Sequence, residues 1–254
     1  MSAHVSRIVA LGASNLTRGF QSIVATARAS WGPDVEVLAA FGHGRSYGAR
    51  SRVLFRTLPG VLDSGLWAAL DARPRRTTRA LVMDVGNDIL YGCSGEQTLA
   101  LVEEALRRLQ RVTEDIVLTD LPLSGIRRLS KLKFLAFRSV LFPSSRLSFG
   151  QVLDTAERVS VGLAALSAAS GAKLIQLDPA WYGFDPIHVR RSRWPDAWRK
   201  ILETPPEVRP QEASALESIR LYRMRPERRW WFGVEQLTPQ SGVPLQRGGR
   251  VWLY

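Results

Sequence analysis

Four short polar segments of the chain carry residue types that together could activate a serine hydroxyl. They read Gly-Ala-Ser-Asn at 12–15, Gly-His-Gly-Arg-Ser at 42–46, Gly-Asn-Asp at 86–88 and Asp-Pro-Ile-His at 185–188. A serine is a poor nucleophile until a base takes its proton, and a histidine oriented by a carboxylate can be that base. The sequence therefore holds the residue types for covalent catalysis on serine, in segments that the fold must bring together.

Three histidines are candidates for the base, namely His4, His43 and His188. His4 lies at the start of the chain, and His43 has no carboxylate within several residues. Asp185 precedes His188 by three residues, close enough to hold its ring in one tautomer. We therefore predict His188 as the base and Asp185 as its orienting carboxylate. Asp178, in an Asp-Pro turn, is the alternative carboxylate.

Five short apolar runs predict the strands that position these segments. They are rich in Val, Ile and Leu and nearly continuous, which is typical of strands covered on both faces. The runs are Arg7–Leu11, Val35–Phe41, Ala80–Val85, Asp115–Leu121 and Lys173–Leu177. Helical spacing of apolar residues predicts helices between them, over Thr17–Trp31, Gln97–Leu109 and Phe149–Ala169. This alternation predicts an open, mostly parallel sheet between helices, with ligands bound beyond the carboxyl ends of its strands.

Taken in order, the four polar segments resemble the blocks of the SGNH (GDSL-type) serine hydrolases. The matching positions are Ser14, Gly44, Asn87 and His188, and the resemblance extends over residues 7–195. It implies Ser14 as nucleophile and an oxyanion hole formed by the backbone N–H groups of Ser14 and Gly44 and the side-chain amide of Asn87. The first block departs from the family by lacking an acidic residue beside the serine, and Val85 replaces a glycine in the third block.

The predicted fold is a three-layer α/β/α sandwich with a flavodoxin-like parallel sheet in strand order 2-1-3-4-5 and a C-terminal extended or β appendage. The predicted reaction is hydrolysis of a carboxylic ester or thioester through an acyl-Ser14 intermediate, with no metal and no organic cofactor. We also predict His43, Arg45 and Asp88 as substrate contacts. An acyltransferase using the same site, and a non-catalytic protein that binds an anion or nucleic acid, are the alternatives.

Each candidate also has an ordinary structural explanation. Ser14 could cap the first helix, and Asn87 or Asp88 could cap the helix after the third strand. The glycines at 42, 44 and 48 could be turn residues. All these explanations must hold at once to remove the site, and we favour the catalytic interpretation for that reason.

The composition indicates a globular protein without disulfides. The chain has 254 residues, one cysteine (Cys93) and no apolar run near the length of about 20 residues that a membrane span needs. We therefore expect a soluble, cytoplasmic protein. The formal net charge is +12, but no recognition helix, zinc finger or aromatic platform accompanies it. Nucleic-acid binding is therefore not favoured.

Two regions interrupt the strand–helix alternation. We assign 1–200 to the α/β domain, with a basic amphipathic insertion at 121–150, and 201–254 to a Pro-, Trp- and Arg-rich extension packed on it. The insertion could serve as a lid or wall that meets an anionic substrate. Contact with a membrane surface through 126–142 is not favoured over a helix that packs on the core. We predict Trp230, Trp231 and Trp252 as core or hairpin anchors, since aromatic residues favour strands.

Overall fold

The computed structural model describes residues 5–142, 145–210 and 213–254. His4 therefore lies outside the described residues. No helix in the described part of the chain is long and apolar enough to cross a membrane.

The strands of the described ranges are numbered in chain order. They are β1 (Arg7–Leu11), β2 (Glu36–Ala40), β3 (Ser51–Val53), β4 (Arg56–Leu58), β5 (Thr78–Val82), β6 (Ile116–Thr119), β7 (Lys173–Ile175), β8 (Arg228–Trp231), β9 (Val234–Leu237), β10 (Val243–Pro244) and β11 (Arg250–Leu253). The helices are α1 (Ser14–Trp31), α2 (Leu66–Asp71), α3 (Asn87–Leu90), α4 (Gly95–Leu109), α5 (Leu123–Arg127), α6 (Lys131–Leu141), α7 (Phe149–Ser170), α8 (Trp194–Ile201) and α9 (Ala215–Tyr222).

The central sheet has the order β10-β11-β2-β1-β5-β6-β7 in the described residues. The five strands from β2 to β7 are parallel and confirm the predicted order 2-1-3-4-5. β1 is fully buried because it lies between two parallel neighbours, with Val9 opposite Leu38 and Ala80. A hydrophobic cluster covers each face of the sheet. This is the three-layer α/β arrangement expected from the sequence.

The region 201–254 supplies strands to both sheets of the protein. β11 extends the central sheet by pairing in parallel with β2, and β10 pairs antiparallel with β11. β8 and β9 join β3 and β4 in a four-stranded antiparallel sheet, in the order β3-β4-β8-β9. Trp252 is buried, whereas Trp231 of the second sheet is exposed. The β3–β4 hairpin had no counterpart in the sequence prediction.

The basic insertion forms two short helices, α5 and α6, before α7 begins. α7 starts at a capping box in which Ser148 and Gln151 bond each other's backbone N–H groups. It ends at Gly171, whose φ of 74° places it in the left-handed conformation that glycine favours at helix ends. The predicted helix over Phe149–Ala169 is thus one residue shorter than the observed one.

Helix α8 packs across α1 where α1 has a glycine. Trp198 of α8 is fully buried, and a Cβ added to Gly19 would lie 2.2 Å from its Cζ2 atom. The close approach of the two helices therefore depends on the missing side chain at position 19.

We expect Gly19→Ala to lower the free energy of unfolding by about 1–3 kcal/mol, because overpacking of the Trp198 ring outweighs the helix propensity that alanine adds. The measurement is chemical denaturation. Gly150→Ala is the control, since α7 leaves open space around a Cβ there, and it should change stability by less than about 1 kcal/mol. Equal stability of the two variants would contradict the packing argument.

Candidate active site

Ser14 begins α1 at the carboxyl end of the central strand β1. The N-cap residue of this helix is Ala13, which has no polar side chain to bond the free backbone N–H groups of the first turn. The Ser14 hydroxyl does not cap the helix either, because its Oγ lies 2.8 Å from His188 Nε2. Some other group must satisfy the first turn of α1.

The carboxylate of Asp84 caps α1 from the end of β5. Its Oδ2 atom accepts the backbone N–H groups of Ala13 at 2.9 Å, Asn15 at 3.0 Å and Leu16 at 3.3 Å. A negative charge at a helix N-terminus is also favoured by the helix dipole. Asp84 has a φ of 61°, a left-handed conformation that Asp adopts more readily than most residues. The nucleophile segment is therefore fixed to the neighbouring strand.

Asn15 links this cap to the loop that carries the histidine. Its Nδ2 donates to Asp84 Oδ1 at 2.8 Å and to the Ile187 carbonyl at 2.9 Å. Its Oδ1 accepts the backbone N–H of Val189 at 2.9 Å. One amide side chain thus bonds both residues that flank His188. This bridge sets the distance between the serine and the histidine.

Ser14, His188 and Asp185 form a continuous chain of hydrogen bonds. His188 Nδ1 lies 2.7 Å from Asp185 Oδ2, and its Nε2 faces the Ser14 hydroxyl. With the Nδ1 proton donated to the carboxylate, Nε2 is free to accept the serine proton. The structure therefore brings together the three residues that the sequence predicted as nucleophile, base and orienting group.

Asp185 is held in its charged form. Burial raises its pKa, but the hydrogen bond and charge of His188, the Ile187 N–H and the Arg18 guanidinium together lower the pKa to about 2. Arg18 follows Ser14 by one helical turn, and its Nη1 donates to Asp185 Oδ2 at 3.2 Å. The alternative carboxylate, Asp178, instead accepts the Ala180 N–H and caps a turn.

Gly44 lies in a turn that only a residue without a side chain fits. Its φ is 66°, and a Cβ would lie 2.6 Å from Val53 Cγ2. Its carbonyl accepts the Tyr91 hydroxyl at 2.8 Å, which fixes the peptide. Among the described residues, the N–H groups of Ser14 and Gly44 have no hydrogen-bond acceptor. Both are available as donors to a ligand.

Asn87 begins helix α3, but its side chain does not cap that helix. Its Nδ2 donates one hydrogen to the Arg45 carbonyl at 3.1 Å. Because an amide NH₂ carries two hydrogens, the second remains for a ligand. Asn87 and Ser14 line the same cavity, so the amide lies on the side of the nucleophile that a substrate would occupy.

Arg45 and Asp88 are buried away from this cavity. Asp88 accepts the Ser46 hydroxyl and the N–H groups of Tyr47 and Gly48, and burial raises its pKa. The Arg45 guanidinium donates to backbone carbonyls, those of Phe41, Pro59 and Tyr254. Burial, together with nearby Arg56, lowers the pKa of Arg45 to about 9. Both side chains hold the 42–48 loop in place and are fully buried, so neither is placed to touch substrate.

His43 differs from its neighbours because it is exposed. Its pKa is lowered by desolvation and by the positive charges of Arg56, His188 and Arg18. His43 does not line the cavity beside Ser14.

A largely apolar cavity of about 130 Å³ opens beside Ser14. Its walls come from the ends of β5 and β6, from α5 to α7 and from the loop before His188. Its lining includes Phe134 and Arg138 of α6, Phe142 just after that helix, and Val152 and Ala156 of α7. No group of three or more His, Cys, Asp or Glu in the described ranges could hold a metal ion. The Ser14 hydroxyl thus lies beside a largely apolar pocket.

Asp84 and the bridging role of Asn15 were missed in the sequence analysis. A signal for Asp84 was present, since it is the one charged residue in the apolar run at 80–85. An acidic residue at the end of a buried strand, next to other strand ends, is well placed to bind backbone N–H groups. The sequence could not show which helix it would cap.

Comparison with known proteins finds similarity only at the level of solved structures. No protein-family model matches the chain, and no curated protein matches it. A carbohydrate acetylesterase family member from Sinorhizobium meliloti is 14% identical over 77% of this chain and 95% of its own, with a TM-score of 0.49. The psychrotrophic esterase EstA from Pseudoalteromonas sp. is 13% identical over 78% of this chain and 96% of its own, with a TM-score of 0.47.

AlinE4, described as an SGNH-hydrolase family esterase, is 18% identical over 75% of this chain and 90% of its own, with a TM-score of 0.43. The solved structures to which the chain is similar thus include esterases, one of them described as a member of the SGNH-hydrolase family.

We expect Asp84→Asn to lower the free energy of unfolding by about 1–3 kcal/mol, because an amide nitrogen cannot accept the N–H groups that the carboxylate accepts. Asn tolerates the left-handed backbone as Asp does, so the substitution changes only the hydrogen bonds of this side chain, namely the cap and the bond from Asn15 Nδ2. Amide hydrogen exchange at Ala13 and Asn15 should accelerate.

The control for this substitution is Asp71→Asn, which removes an exposed ion pair with Arg111. It should leave both stability and amide exchange nearly unchanged, since exposed pairs contribute little. Unchanged exchange at Ala13 in Asp84→Asn would show that the cap does not hold the nucleophile segment.

Proposed function

We propose that this protein is a serine hydrolase of the SGNH (GDSL) type that cleaves a carboxylic ester or thioester. The observation that carries the proposal is the hydrogen-bonded chain from Ser14 through His188 to Asp185. Geometry of this kind is recognised by the roles of the groups rather than by their order in the chain. Asn87 lines the same cavity as Ser14, and we assign the unbonded N–H of Gly44 as a further donor.

In the proposed reaction, His188 Nε2 takes the Ser14 proton as Oγ attacks the carbonyl carbon of the substrate. The carbonyl oxygen becomes an oxyanion, which the N–H groups of Ser14 and Gly44 and the Asn87 amide stabilise. The tetrahedral intermediate collapses as His188 gives its proton to the departing alcohol or thiol. Water, activated by the same histidine, then releases the acid and restores Ser14.

The pKa of Asp185 supports its role in this scheme. A carboxylate that stays charged at neutral pH fixes the Nδ1–H tautomer of His188 and stabilises the imidazolium that forms during each proton transfer. Replacement of water by another acceptor would give acyl transfer at the same site. Hydrolysis is the simplest reaction that these groups perform, and no further residue is needed for it.

We expect a fluorophosphonate probe to form one covalent adduct on Ser14, located by intact mass and peptide mapping. Ser14→Ala should abolish labelling. His188→Ala should slow it by about 100- to 10,000-fold, the usual contribution of general base catalysis. Asp185→Asn should also slow labelling, because the histidine loses its orienting acceptor.

Asp178→Asn is the matched control, since it alters the other Asp-Pro turn and leaves the His188 contacts intact. It should label at the wild-type rate. Absence of any adduct on folded wild-type protein, or an adduct that persists in Ser14→Ala, would contradict the proposed function.

The cavity beside Ser14 supports an apolar acyl group of modest length as the preferred substrate. A dry apolar cavity of about 150 Å³ holds a benzene molecule, with six carbons, and the cavity here has about 130 Å³. Ala156 and Val152 of α7 line it and are buried. The acyl chain would lie against α6 and α7 while the alcohol or thiol leaves toward solvent.

We expect Ala156→Leu to lower kcat/KM for p-nitrophenyl hexanoate about tenfold or more relative to p-nitrophenyl acetate, because the added carbons occupy acyl space. Ala165→Leu, on the exposed face of α7, is the control and should keep the wild-type ratio. If the ratio of hexanoate to acetate were the same in all three proteins, the acyl chain would not bind in this cavity.

A further inference from the structure

The tips of two neighbouring hairpins expose a cluster of large apolar side chains. We call it the tip cluster, and its members are Leu54, Phe55, Trp231, Phe232 and Val234. Leu54 is 70% exposed, Phe232 64% and Phe55 54%. Monomeric soluble proteins rarely leave several large apolar side chains together in solvent without a function. The reaction proposed for Ser14 does not use them.

The tip cluster is preformed. β4 pairs with β8, and the Phe232 N–H donates to the Phe55 carbonyl at 2.9 Å. The rings of Phe55 and Phe232 stack with centroids 4.5 Å apart, and Trp231 meets Phe232 edge-on at 5.6 Å. The two tips therefore form one rigid apolar surface rather than two separate loops.

Both hairpin turns have a large apolar residue at a position with positive φ, where Gly, Asn or Asp is favoured. The two-residue loop Phe232-Gly233 has φ values of 49° and 83°, a type I′ pattern that prefers Asn, Asp or Gly at its first position. The loop Leu54-Phe55 has its positive φ, 54°, at Leu54, where type II′ turns favour Gly. Large apolar residues in these conformations are strained, and strain of this kind concentrates at functional surfaces.

Arginines surround the tip cluster. The strands and immediate flanks of the two hairpins contain Arg50, Arg52, Arg56, Arg228 and Arg229, against two acidic residues, Glu227 and Glu235. Glu235 is paired with Arg228. The Arg50 guanidinium lies 4.6 Å from the Trp230 ring centroid, and that of Arg229 lies 5.5 Å from the Trp231 centroid. The apolar tips thus project from a strongly basic rim.

From this arrangement we infer that the tip cluster and its arginine rim dock the protein on an anionic lipid bilayer. Aromatic and aliphatic side chains enter the boundary between headgroups and acyl chains, and arginines bind the anionic headgroups around them. A second copy of the chain fits less well, because it would bring two sets of arginines together. A nucleic acid also fits less well, since Phe55 and Phe232 stack on each other and Leu54 and Val234 have no ring on which a base could stack.

The docking surface adjoins the loop of the candidate active site. Arg56 Nη2 donates to the His43 carbonyl at 3.1 Å, and Val53 packs against Gly44. A bilayer bound at the tips would therefore lie on the side of the 42–46 loop. The inference itself does not depend on activity at Ser14, because it rests on the second sheet alone.

The test is co-sedimentation of the full chain with vesicles of phosphatidylcholine, with and without phosphatidylglycerol. Wild-type protein should bind the phosphatidylglycerol vesicles, and binding should weaken as salt is raised. The double variant Phe55→Ser/Phe232→Ser should bind at least about tenfold more weakly, because two large side chains no longer enter the bilayer. Arg50→Gln/Arg52→Gln should also bind about tenfold more weakly at low salt.

Leu216→Ser/Ile219→Ser is the matched control, since it removes two comparably exposed apolar side chains, 65% and 50% exposed, from α9. It should bind like wild type. The unfolding midpoint checks that each variant is folded, and the arginine pair tests the surface independently of the apolar tips. Lack of wild-type binding to phosphatidylglycerol vesicles would overturn the inference.

Three other outcomes would also overturn it. One is equal binding to neutral vesicles, and another is full binding by Phe55→Ser/Phe232→Ser. The third is that the protein does not bind vesicles but uses these residues for another partner. Sedimentation velocity would then show dimerisation, or an assay with single-stranded RNA would show RNA binding.

Discussion

The bonds between the Asp84 carboxylate and the N-terminus of α1 are the constraint on which the candidate site depends. The N-cap residue of α1, Ala13, has no polar side chain, and the Ser14 hydroxyl faces His188 instead of the free N–H groups of the first turn. The cap therefore comes from another strand. Asn15 extends the same set of bonds to the loop at 187–189. Three separate segments are positioned by one carboxylate and one amide.

The loop at 42–48 is held in place in a different way, by buried charged side chains. Asp88 accepts hydrogen bonds from Ser46, Tyr47 and Gly48, and Arg45 donates to the backbone oxygens of Phe41, Pro59 and Tyr254. Buried groups with several fixed partners cannot reorient without leaving some of them unsatisfied. The loop that presents Gly44 and its backbone N–H is rigid for this reason. Preorganised donors of this kind need no rearrangement when charge develops on a ligand.

Several arginines form ion pairs and hydrogen bonds within the protein, so not all of the positive charge faces solvent unpaired. Arg28 pairs with the buried Glu217, Arg79 with Asp115, and Arg108 bonds both Glu104 and the Leu62 carbonyl. The planar guanidinium suits such multiple contacts better than an ammonium group. Part of the positive charge of the chain is therefore engaged in internal contacts. The cluster at the β3–β4 and β8–β9 hairpins stands out because its five arginines outnumber the two glutamates beside them, Glu227 and Glu235.

The fold was readable from the sequence where local patterns are strong. Continuous apolar runs such as the one at 7–11 predict buried strands, and their alternation with helices predicts a mostly parallel sheet. The strand order 2-1-3-4-5 came with the family resemblance, since alternation alone is compatible with other orders. The β3–β4 hairpin was missed because three-residue strands show no periodicity, and β4 pairs with β8 across more than half of the chain. Arg45 and Asp88 were predicted as substrate contacts, but their side chains are fully buried in the structure. The orientation of a loop side chain depends on its packing against distant segments, so the sequence of the loop alone does not predict it.

The placement of β11 beside β2 has a consequence for how the protein forms. Until β11 is synthesised, β2 is an edge strand with unpaired backbone groups, a feature that promotes aggregation. The contact joins residues separated by most of the chain, and contacts of such high order form slowly. Tyr254 then supplies a carbonyl to the Arg45 guanidinium. The loop around Gly44 therefore reaches its final conformation late in folding. A nascent chain that lacks β11 can form helix α1 but not the complete set of contacts that hold this loop.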